Sequence, residues 1–135
     1  MGFHYDVTVA WGDCDEMGIV FYPNYYYWFD TTFHAFTRER GVSQRAIRER
    51  FGALGTPLVD TGARYRAPVR YDDPIRIVAE IESWSTRSFR LRYTVLRDGD
   101  TVAVEGHEVR AWVVPGPDGS FKAGTIPEAF REALA

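Results

Sequence analysis

The sequence has very little cysteine and histidine, and these shortages exclude several kinds of site. Cys14 is the single cysteine among 135 residues, so an internal disulfide framework and a zinc site made only of thiolates are excluded. The three histidines, His4, His34 and His107, show no metal-ligand spacing. The sequence also has no Gly-x-Ser-x-Gly elbow and no glycine loop that ends in Gly-Lys-Ser/Thr. We therefore expect no metal site.

The chain also lacks an excess of positive charge and a long apolar run. Its net charge of −3 and pI near 5.6 give no general electrostatic attraction to nucleic acid. Residues 1–6 lack the cationic region and apolar run of a signal peptide, and no apolar stretch approaches the length of a membrane span. We expect a cytoplasmic protein that binds neither nucleic acid nor membrane. With no repeat or linker, residues 1–135 are predicted to form a single domain.

What the sequence does have is a concentration of aromatic residues after Phe21. Aromatic side chains make up 16% of the chain. Six residues recur with helical spacing on one stripe: Tyr25, Trp28, Phe29, Thr32, Phe33 and Phe36. Pro23 suits the first helical position and Gly41 suits a C-terminal stop, so we predict a helix from Pro23 or Asn24 to Arg40. Its aromatic face must be buried against a sheet.

The remaining segments predict that sheet. Residues 3–11 alternate as a strand, and Ser43 caps a short helix that ends at Gly52. Further strands are predicted over 58–67, 75–82, 88–95 and 101–114, with a hairpin turn at 98–100, a short segment at Phe121 and a small C-terminal helix from Pro127. Because no helices separate the later strands, the sheet should be antiparallel and the fold α+β.

Two carboxylates, Asp13 and Asp15, lie between the first strand and the long helix. Asp13 is interpreted as a turn or cap residue. Asp15 lies a few residues before a helix start, where free backbone N–H groups near Phe21 and Tyr22 can hold an acyl oxygen. This arrangement combines a nucleophile or general base with an oxyanion donor. Cys14 has an acid on each side and no adjacent base, which argues against a reactive thiolate.

The same stretch resembles a known family. The matching segments are Gly12-Asp13-Cys14-Asp15, Gly18-Ile19-Val20, Tyr22-Pro23-Asn24-Tyr25, Trp28, Asp30, Gly55-Thr56-Pro57, Tyr71-Asp72-Asp73, Trp84 and Ser88-Phe89. Together they are similar to the hotdog-fold thioesterase superfamily, and in particular to the 4-hydroxybenzoyl-CoA thioesterase family. The resemblance implies a long helix wrapped by a five-stranded antiparallel sheet. It also implies a homo-oligomer, a dimer of dimers, with active sites between subunits.

The resemblance further implies roles for individual residues. Asp15 would attack the thioester carbonyl or activate water, and the Tyr22 backbone N–H would polarise that carbonyl. Asp30 of the neighbouring subunit would contact the ring hydroxyl of the acyl group. The other substrate-site residues implied are Thr56, Gly18 and Trp28.

The CoA end of the site is assigned to Arg87, with Ser88, Arg64, Arg90 and Lys122 as further candidates. Relatives place a basic cluster before the Ser-Phe pair, whereas Ser85-Thr86-Arg87 keeps one cation. CoA is part of the substrate in this interpretation, and no separate cofactor is expected.

Several functions remain open at this stage. An aromatic acyl-CoA thioesterase is favoured, and an aliphatic acyl-CoA thioesterase is the first alternative because the motif does not fix the acyl group. A non-catalytic acyl-CoA-binding module is disfavoured, since a binder needs no carboxylate aimed at a thioester. A dehydratase of the same fold is disfavoured because it needs a histidine base in the loop before the helix.

Overall fold

A long helix lies against one face of a five-stranded antiparallel sheet in the structure, a computed structural model that describes residues 2–135. The helices are α1 (Pro23–Glu39), α2 (Gln44–Phe51) and α3 (Glu128–Ala133), with a 3-10 helix at Trp11–Asp13. The strands are β1 (Phe3–Thr8), β2 (Leu58–Tyr65), β3 (Pro74–Trp84), β4 (Ser88–Arg97), β5 (Thr101–Ala111), β6 (Val113–Pro115) and β7 (Phe121–Ala123). The sheet order is β1-β3-β4-β5-β2, and β6 and β7 form a separate pair. The predicted α+β hotdog architecture is confirmed.

Within residues 2–135, no helix is both long and apolar enough to cross a membrane.

The aromatic stripe of α1 forms the centre of the core, as its spacing predicts. All six residues of the stripe are buried: Tyr25, Trp28, Phe29, Thr32, Phe33 and Phe36. Phe29 stacks on Tyr93 of β4 with 4.6 Å between ring centroids, and Phe33 lies 5.9 Å from Phe89. Such pairs add about 0.5–1.5 kcal/mol each beyond the burial of their area. These contacts fix the helix, and with it both of its ends, relative to the sheet.

The two shorter helices also follow their local signals. The Ser43 hydroxyl accepts the Ala46 N–H at 3.2 Å, and Gly52 ends α2 with a positive φ of 67°. In the C-terminal segment Phe130 and Leu134 are buried, with Phe130 against Trp112 at 4.9 Å.

Three predicted strands are shorter in the structure than in the prediction, and one of them, β2, ends at Tyr65 rather than at residue 67. β1 ends at Thr8 because the chain turns into the 3-10 helix, where the Asp13 carboxylate accepts the Ala10 N–H at 2.8 Å. The predicted strand 101–114 is interrupted at Trp112, whose N–H donates to the Arg87 carbonyl at 2.8 Å. Both interruptions depend on contacts that alternation along the sequence does not reveal.

The helix-facing side of β5 carries a glycine at the point of closest approach to α1. A Cβ built on Gly106 would lie 2.6 Å from the Phe29 Cζ, closer than real Cβ atoms approach other heavy atoms. The absence of a side chain at Gly106 therefore makes room for the Phe29–Tyr93 stack.

Replacing Gly106 with alanine is expected to destabilise the fold by about 1–3 kcal/mol, because the Phe29 ring must move out of a packed core. Urea unfolding of Gly106→Ala and wild type measures this difference as a shift in midpoint. Gly12→Ala is the matched control, since a Cβ on Gly12 meets no atom within 4 Å. Equal stability of Gly106→Ala and wild type would contradict the packing described.

Candidate active site

The segment that carries Asp15 is a tight hairpin closed by its own backbone. We call residues 14–20 the Asp15 loop. The Asp15 N–H donates to the Ile19 carbonyl, and the Gly18 N–H donates to the Asp15 carbonyl, both at 2.9 Å. Gly18 has a φ of +78°, a backbone conformation that residues with a side chain rarely adopt. The Val20 N–H donates to the Val69 carbonyl at 2.9 Å, which attaches the loop to the segment that follows β2. The main chain at Asp15 is therefore well fixed.

The Asp15 carboxylate is held by one oxygen and open at the other. Oδ1 accepts the Met17 N–H at 2.9 Å, and Oδ2 has no hydrogen-bond partner within residues 2–135. The side chain is exposed and lines a cavity. A carboxylate oriented in this way can act as a nucleophile or as a general base.

The start of α1 offers one free backbone donor near this carboxylate. The Phe21 N–H donates to the Asp13 carbonyl at 2.9 Å, so the expectation that Phe21 supplies a free donor is wrong. The Tyr22 N–H has no hydrogen-bond partner in the part of the chain that the structure describes. Because Tyr22 is the N-cap residue of α1, its N–H lies at the positive end of the helix dipole.

Asp15 and Tyr22 line the same cavity, which has a volume of 350 Å³. We call it the Asp15 cavity, and its other lining residues are Ile19, Val20, Tyr25, Tyr65, Arg66, Ala67, Pro68 and Val69. Burial raises the pKa of Tyr25 to about 12. The pKa of Tyr65 is also raised, first by burial and then by its 3.3 Å hydrogen bond to the Tyr26 hydroxyl. Both phenols are therefore neutral near pH 7.

The neighbours of Asp15 in sequence have structural roles. Asp13 caps the 3-10 helix through its bond to the Ala10 N–H, as predicted. Burial raises the pKa of the Cys14 thiol, and the Asp13 and Asp15 carboxylates raise it further. A raised thiol pKa agrees with the prediction that Cys14 is not a reactive thiolate.

Thr56 lies in a second cavity of 280 Å³, which we call the Thr56 pocket. Its other lining residues are His34, Gln44, Leu54, Gly55, Pro57, Arg110, Val113 and Phe121. Asp30 accepts a hydrogen bond from one residue of this lining, Arg110, and lies 3.5 Å from a nitrogen of another, His34. Tyr22 and Asp30 are separated by eight residues, or about 12 Å along the helix axis. The structure therefore brings Asp15 together with Tyr22, but not with Asp30 and Thr56.

The other two predicted substrate residues line neither cavity. Trp28 is 6% exposed and packs edge-on against Tyr25 with 5.6 Å between centroids, so it is a core residue in this protomer. Gly18 shapes the turn of the Asp15 loop.

The Asp30 carboxylate has two basic neighbours. Its Oδ1 accepts a hydrogen bond from Arg110 Nη2 at 2.9 Å and lies 3.5 Å from His34 Nε2. The pKa of Asp30 is lowered to about 2, chiefly by the contact with His34; burial opposes this, and the hydrogen bond from Arg110 lowers the pKa further. His34 follows Asp30 by four residues on α1, a spacing at which side chains on a helix are neighbours.

Sequence reasoning missed Arg110 and its neighbour Glu108. Both are buried, on the side of β5 that faces α1. A signal was present, because alternation along β5 puts these two opposite charges on the same face as Val104 and Gly106. Charged residues two positions apart on a core face indicate a buried ion pair.

The residues predicted to bind CoA fall in three places. Arg64 and Arg90 line a shallow surface on the side of the sheet away from α1, where Arg90 pairs with Glu82 at 2.5 Å. Arg87 and Ser88 lie at the β3–β4 connection, where the Arg87 carbonyl binds the Trp112 N–H. Lys122 is on β7 opposite Val114.

Comparison with known proteins gives consistent matches over nearly the whole chain. A family model described as "Thioesterase-like superfamily" matches residues 9–134. The 4-hydroxybenzoyl-CoA thioesterase of Pseudomonas sp. (strain CBS-3) is 32% identical over 131 residues, which is 92% of this chain and 91% of that protein. A solved structure of a 4-hydroxybenzoyl-CoA thioesterase variant complexed with 4-hydroxybenzoyl-CoA has a TM-score of 0.90 at 27% identity and covers 99% of both chains. A gentisyl-coenzyme A thioesterase structure has a TM-score of 0.81 at 32% identity, with 98% of both chains covered. These matches confirm the resemblance seen in the sequence motif.

The lowered pKa of Asp30 predicts a pH-dependent contribution to stability. Since its pKa falls from 3.8 to about 2 on folding, the ionised carboxylate stabilises the folded state above pH 4. That contribution is lost as the pH falls from about 4 through 2. We expect Asp30→Asn to be less stable than wild type at pH 6, with the difference shrinking toward pH 2. Urea unfolding of both proteins at several pH values measures this, and a constant difference would contradict it.

Proposed function

Because the chain belongs to the thioesterase-like superfamily, we propose that it hydrolyses the CoA thioester of a hydroxylated aromatic acid, giving the free acid and CoA. The observation that carries this proposal is the shared cavity of Asp15 and Tyr22. A fixed carboxylate with one open oxygen and a helix N-terminus with one unpaired N–H line the same cavity. These are the two groups that acyl transfer requires.

Asp15 acts on the thioester carbonyl carbon by one of two routes. As a nucleophile, its oxygen forms a bond to that carbon, the C–S bond breaks and CoA leaves as the thiolate. Water then hydrolyses the mixed anhydride. As a general base, Asp15 instead takes a proton from a water molecule whose oxygen forms the bond to that carbon, and the C–S bond then breaks with CoA leaving as the thiolate. In both routes negative charge develops on the carbonyl oxygen, and the Tyr22 N–H stabilises it.

The proposed aromatic acyl group is supported at the other half of the site. Asp30 is ionised above its pKa of about 2, so it can only accept hydrogen bonds, as a phenolic hydroxyl donor requires. Its Oδ2 has no hydrogen-bond partner within residues 2–135. The three relatives named above act on 4-hydroxybenzoyl or gentisyl groups according to their names, and both groups are aromatic. Thr56 and the apolar residues of its pocket then contact the ring.

We propose that two copies of the chain complete each site. In one protomer Asp15 lines the Asp15 cavity, whereas Asp30 contacts residues that line the separate Thr56 pocket. Edge strand β2 is the favoured pairing surface. Its exposed residues include Leu58 at 43% and Val59 at 63%, whereas the exposed residues of the other edge strand, β1, are His4, Asp6 and Thr8. An exposed apolar edge is a liability that pairing between copies removes. A dimer of such dimers, as the resemblance implies, would have four times the 15.5 kDa mass of the chain.

CoA is proposed to enter as part of the substrate, with no separate cofactor. Arg87 is the favoured phosphate contact and Arg64 and Lys122 are the further candidates, because Arg90 already pairs with Glu82. Cytoplasmic location is likewise a proposal, consistent with a CoA-dependent reaction.

Asp15→Asn is expected to lower kcat for 4-hydroxybenzoyl-CoA by at least about a hundredfold, because the amide is neither a nucleophile nor a base here. Thiol release under steady-state conditions measures the rate, on a panel that also contains benzoyl-CoA and medium-chain acyl-CoA. Asp13→Asn is the matched control, since the amide oxygen keeps the cap on the Ala10 N–H. Its rate should stay within about threefold of wild type.

Different outcomes on this panel point to different functions. Equal rates for Asp15→Asn and wild type would remove Asp15 from the mechanism. Preference for the straight-chain substrates would replace the aryl assignment with an aliphatic one. CoA binding without hydrolysis of any thioester would favour a binding module.

Val59→Lys is expected to shift the protein toward the monomer and to lower activity in parallel, because a charge on β2 opposes edge pairing. Light scattering gives the mass, and the thiol assay gives the activity on the same samples. His4→Lys puts the same charge on the exposed face of β1 and should leave the mass unchanged. A monomeric wild type, or dissociation by His4→Lys alone, would contradict the proposed interface.

A further inference from the structure

A buried polar network connects the sheet to the side of α1 that carries Asp30. The Tyr93 hydroxyl donates to Glu108 Oε1 at 2.5 Å, and Arg110 Nε donates to the same oxygen at 2.9 Å. Tyr93, Glu108 and Arg110 are all nearly inaccessible to solvent. Glu108 thus anchors the arginine from within the core.

The outer nitrogens of the Arg110 guanidinium bind two residues of the proposed substrate site. Nη1 donates to the Thr56 carbonyl at 3.0 Å, and Nη2 donates to Asp30 Oδ1 at 2.9 Å. The guanidinium also lies over the Phe33 ring, 4.1 Å from its centroid. A planar cation with three nitrogens engaged in this way has one available orientation. It therefore sets the distance between Asp30 and Thr56, which lie on different segments of the chain.

Stability alone gives a weak reason for this network. Desolvation of a buried ion pair largely offsets its Coulomb attraction, and apolar residues of similar size are often at least as stabilising. The two paired side chains also differ in their exposure to solvent, since that of Arg110 is 4% exposed and that of Asp30 is 52% exposed. The buried cation thus holds a carboxylate whose free oxygen remains accessible.

We propose that Arg110, anchored by Glu108 and Tyr93, is a positioning residue that sets the preference for hydroxylated aromatic acyl groups by fixing Asp30 and Thr56. The inference rests on the proposed function, because it requires Asp30 to receive the ring hydroxyl. A site arranged around a substrate hydroxyl discriminates against an analogue that lacks it, since its polar groups are then left unpaired. Loss of the Arg110 fork lets Asp30 move, and that discrimination falls.

The test is the ratio of kcat/KM for 4-hydroxybenzoyl-CoA to kcat/KM for benzoyl-CoA. Arg110→Lys is expected to lower this ratio at least tenfold, because an ammonium group cannot bind Glu108, Thr56 and Asp30 together. Arg40→Lys is the matched control. Arg40 also donates to backbone carbonyls, of Ala133 and Ala135, and stacks on a phenylalanine, Phe36, but contacts neither Asp30 nor Thr56. Its ratio should match wild type.

A purely structural role would give a different result. Arg110→Lys would then lower both kcat/KM values by the same factor and leave the ratio unchanged, which would overturn the proposal. A second readout uses the Asp30→Asn background, where Arg110→Lys should lower the ratio no further because both act through the same carboxylate. Additive effects of the two substitutions would also overturn it.

A triple variant covers the case in which Arg110→Lys fails to fold. Tyr93→Phe, Glu108→Leu and Arg110→Met together remove the polar groups of the network, so no buried charge is left unpaired. This variant should lower the kcat/KM ratio as Arg110→Lys does. A wild-type ratio in a folded triple variant would overturn the inference.

Failure of the inference and failure of the proposed function give different results. If Asp30→Asn keeps the wild-type ratio, Asp30 does not receive the hydroxyl and both proposals on this half of the site fail. If Asp30→Asn lowers the kcat/KM ratio while the Arg110 variants keep the wild-type ratio, the aryl assignment stands and the role of Arg110 is rejected.

Discussion

Burial of the aromatic stripe of α1 against the sheet is the contact on which the rest of the structure depends. The Phe29–Tyr93 and Phe33–Phe89 pairs fix the helix in position and rotation about its axis. Its first residues then lie beside the Asp15 loop, and its middle turn presents Asp30 to Arg110. One packing arrangement therefore sets the location of both halves of the proposed site, although neither half is part of the aromatic face.

The two halves of the proposed site have contrasting electrostatics. Around Asp15 lie one backbone N–H that donates to the carboxylate, one unpaired N–H at a helix start and two phenols that are neutral near pH 7. Around Asp30 the partners are a histidine and a buried arginine. An Asp15 carboxylate with few partners retains its reactivity, whereas an Asp30 carboxylate paired with a cation is suited to binding.

Much of the fold follows from local signals in the sequence. The helical period of α1, the Ser43 cap and the Gly52 stop of α2, and the alternation of β3 and β4 each depend on neighbouring residues, so the sequence indicates them directly. The motif around Asp15 likewise indicated the loop and the helix start. The interruption at Trp112, the donation of the Phe21 N–H to Asp13 and the Arg110 network depend on residues brought together by folding. Spacing along the chain carries no direct information about such contacts, and Glu108 and Arg110 were missed although their alternation was visible.

The Asp15 loop is held by hydrogen bonds among its own residues, by the Cys14 N–H bond to the Trp11 carbonyl and by a strand-like contact to Val69. The half of the proposed site around Asp30, in contrast, is fixed by side chains from β4 and β5. The two parts share no hydrogen bond within residues 2–135. The two halves of the proposed site can therefore change independently of each other during evolution. Under the proposed function, substitutions in the Arg110 network would change the preferred acid without disturbing Asp15, so related proteins could diverge in substrate while the chemistry at the thioester stays the same.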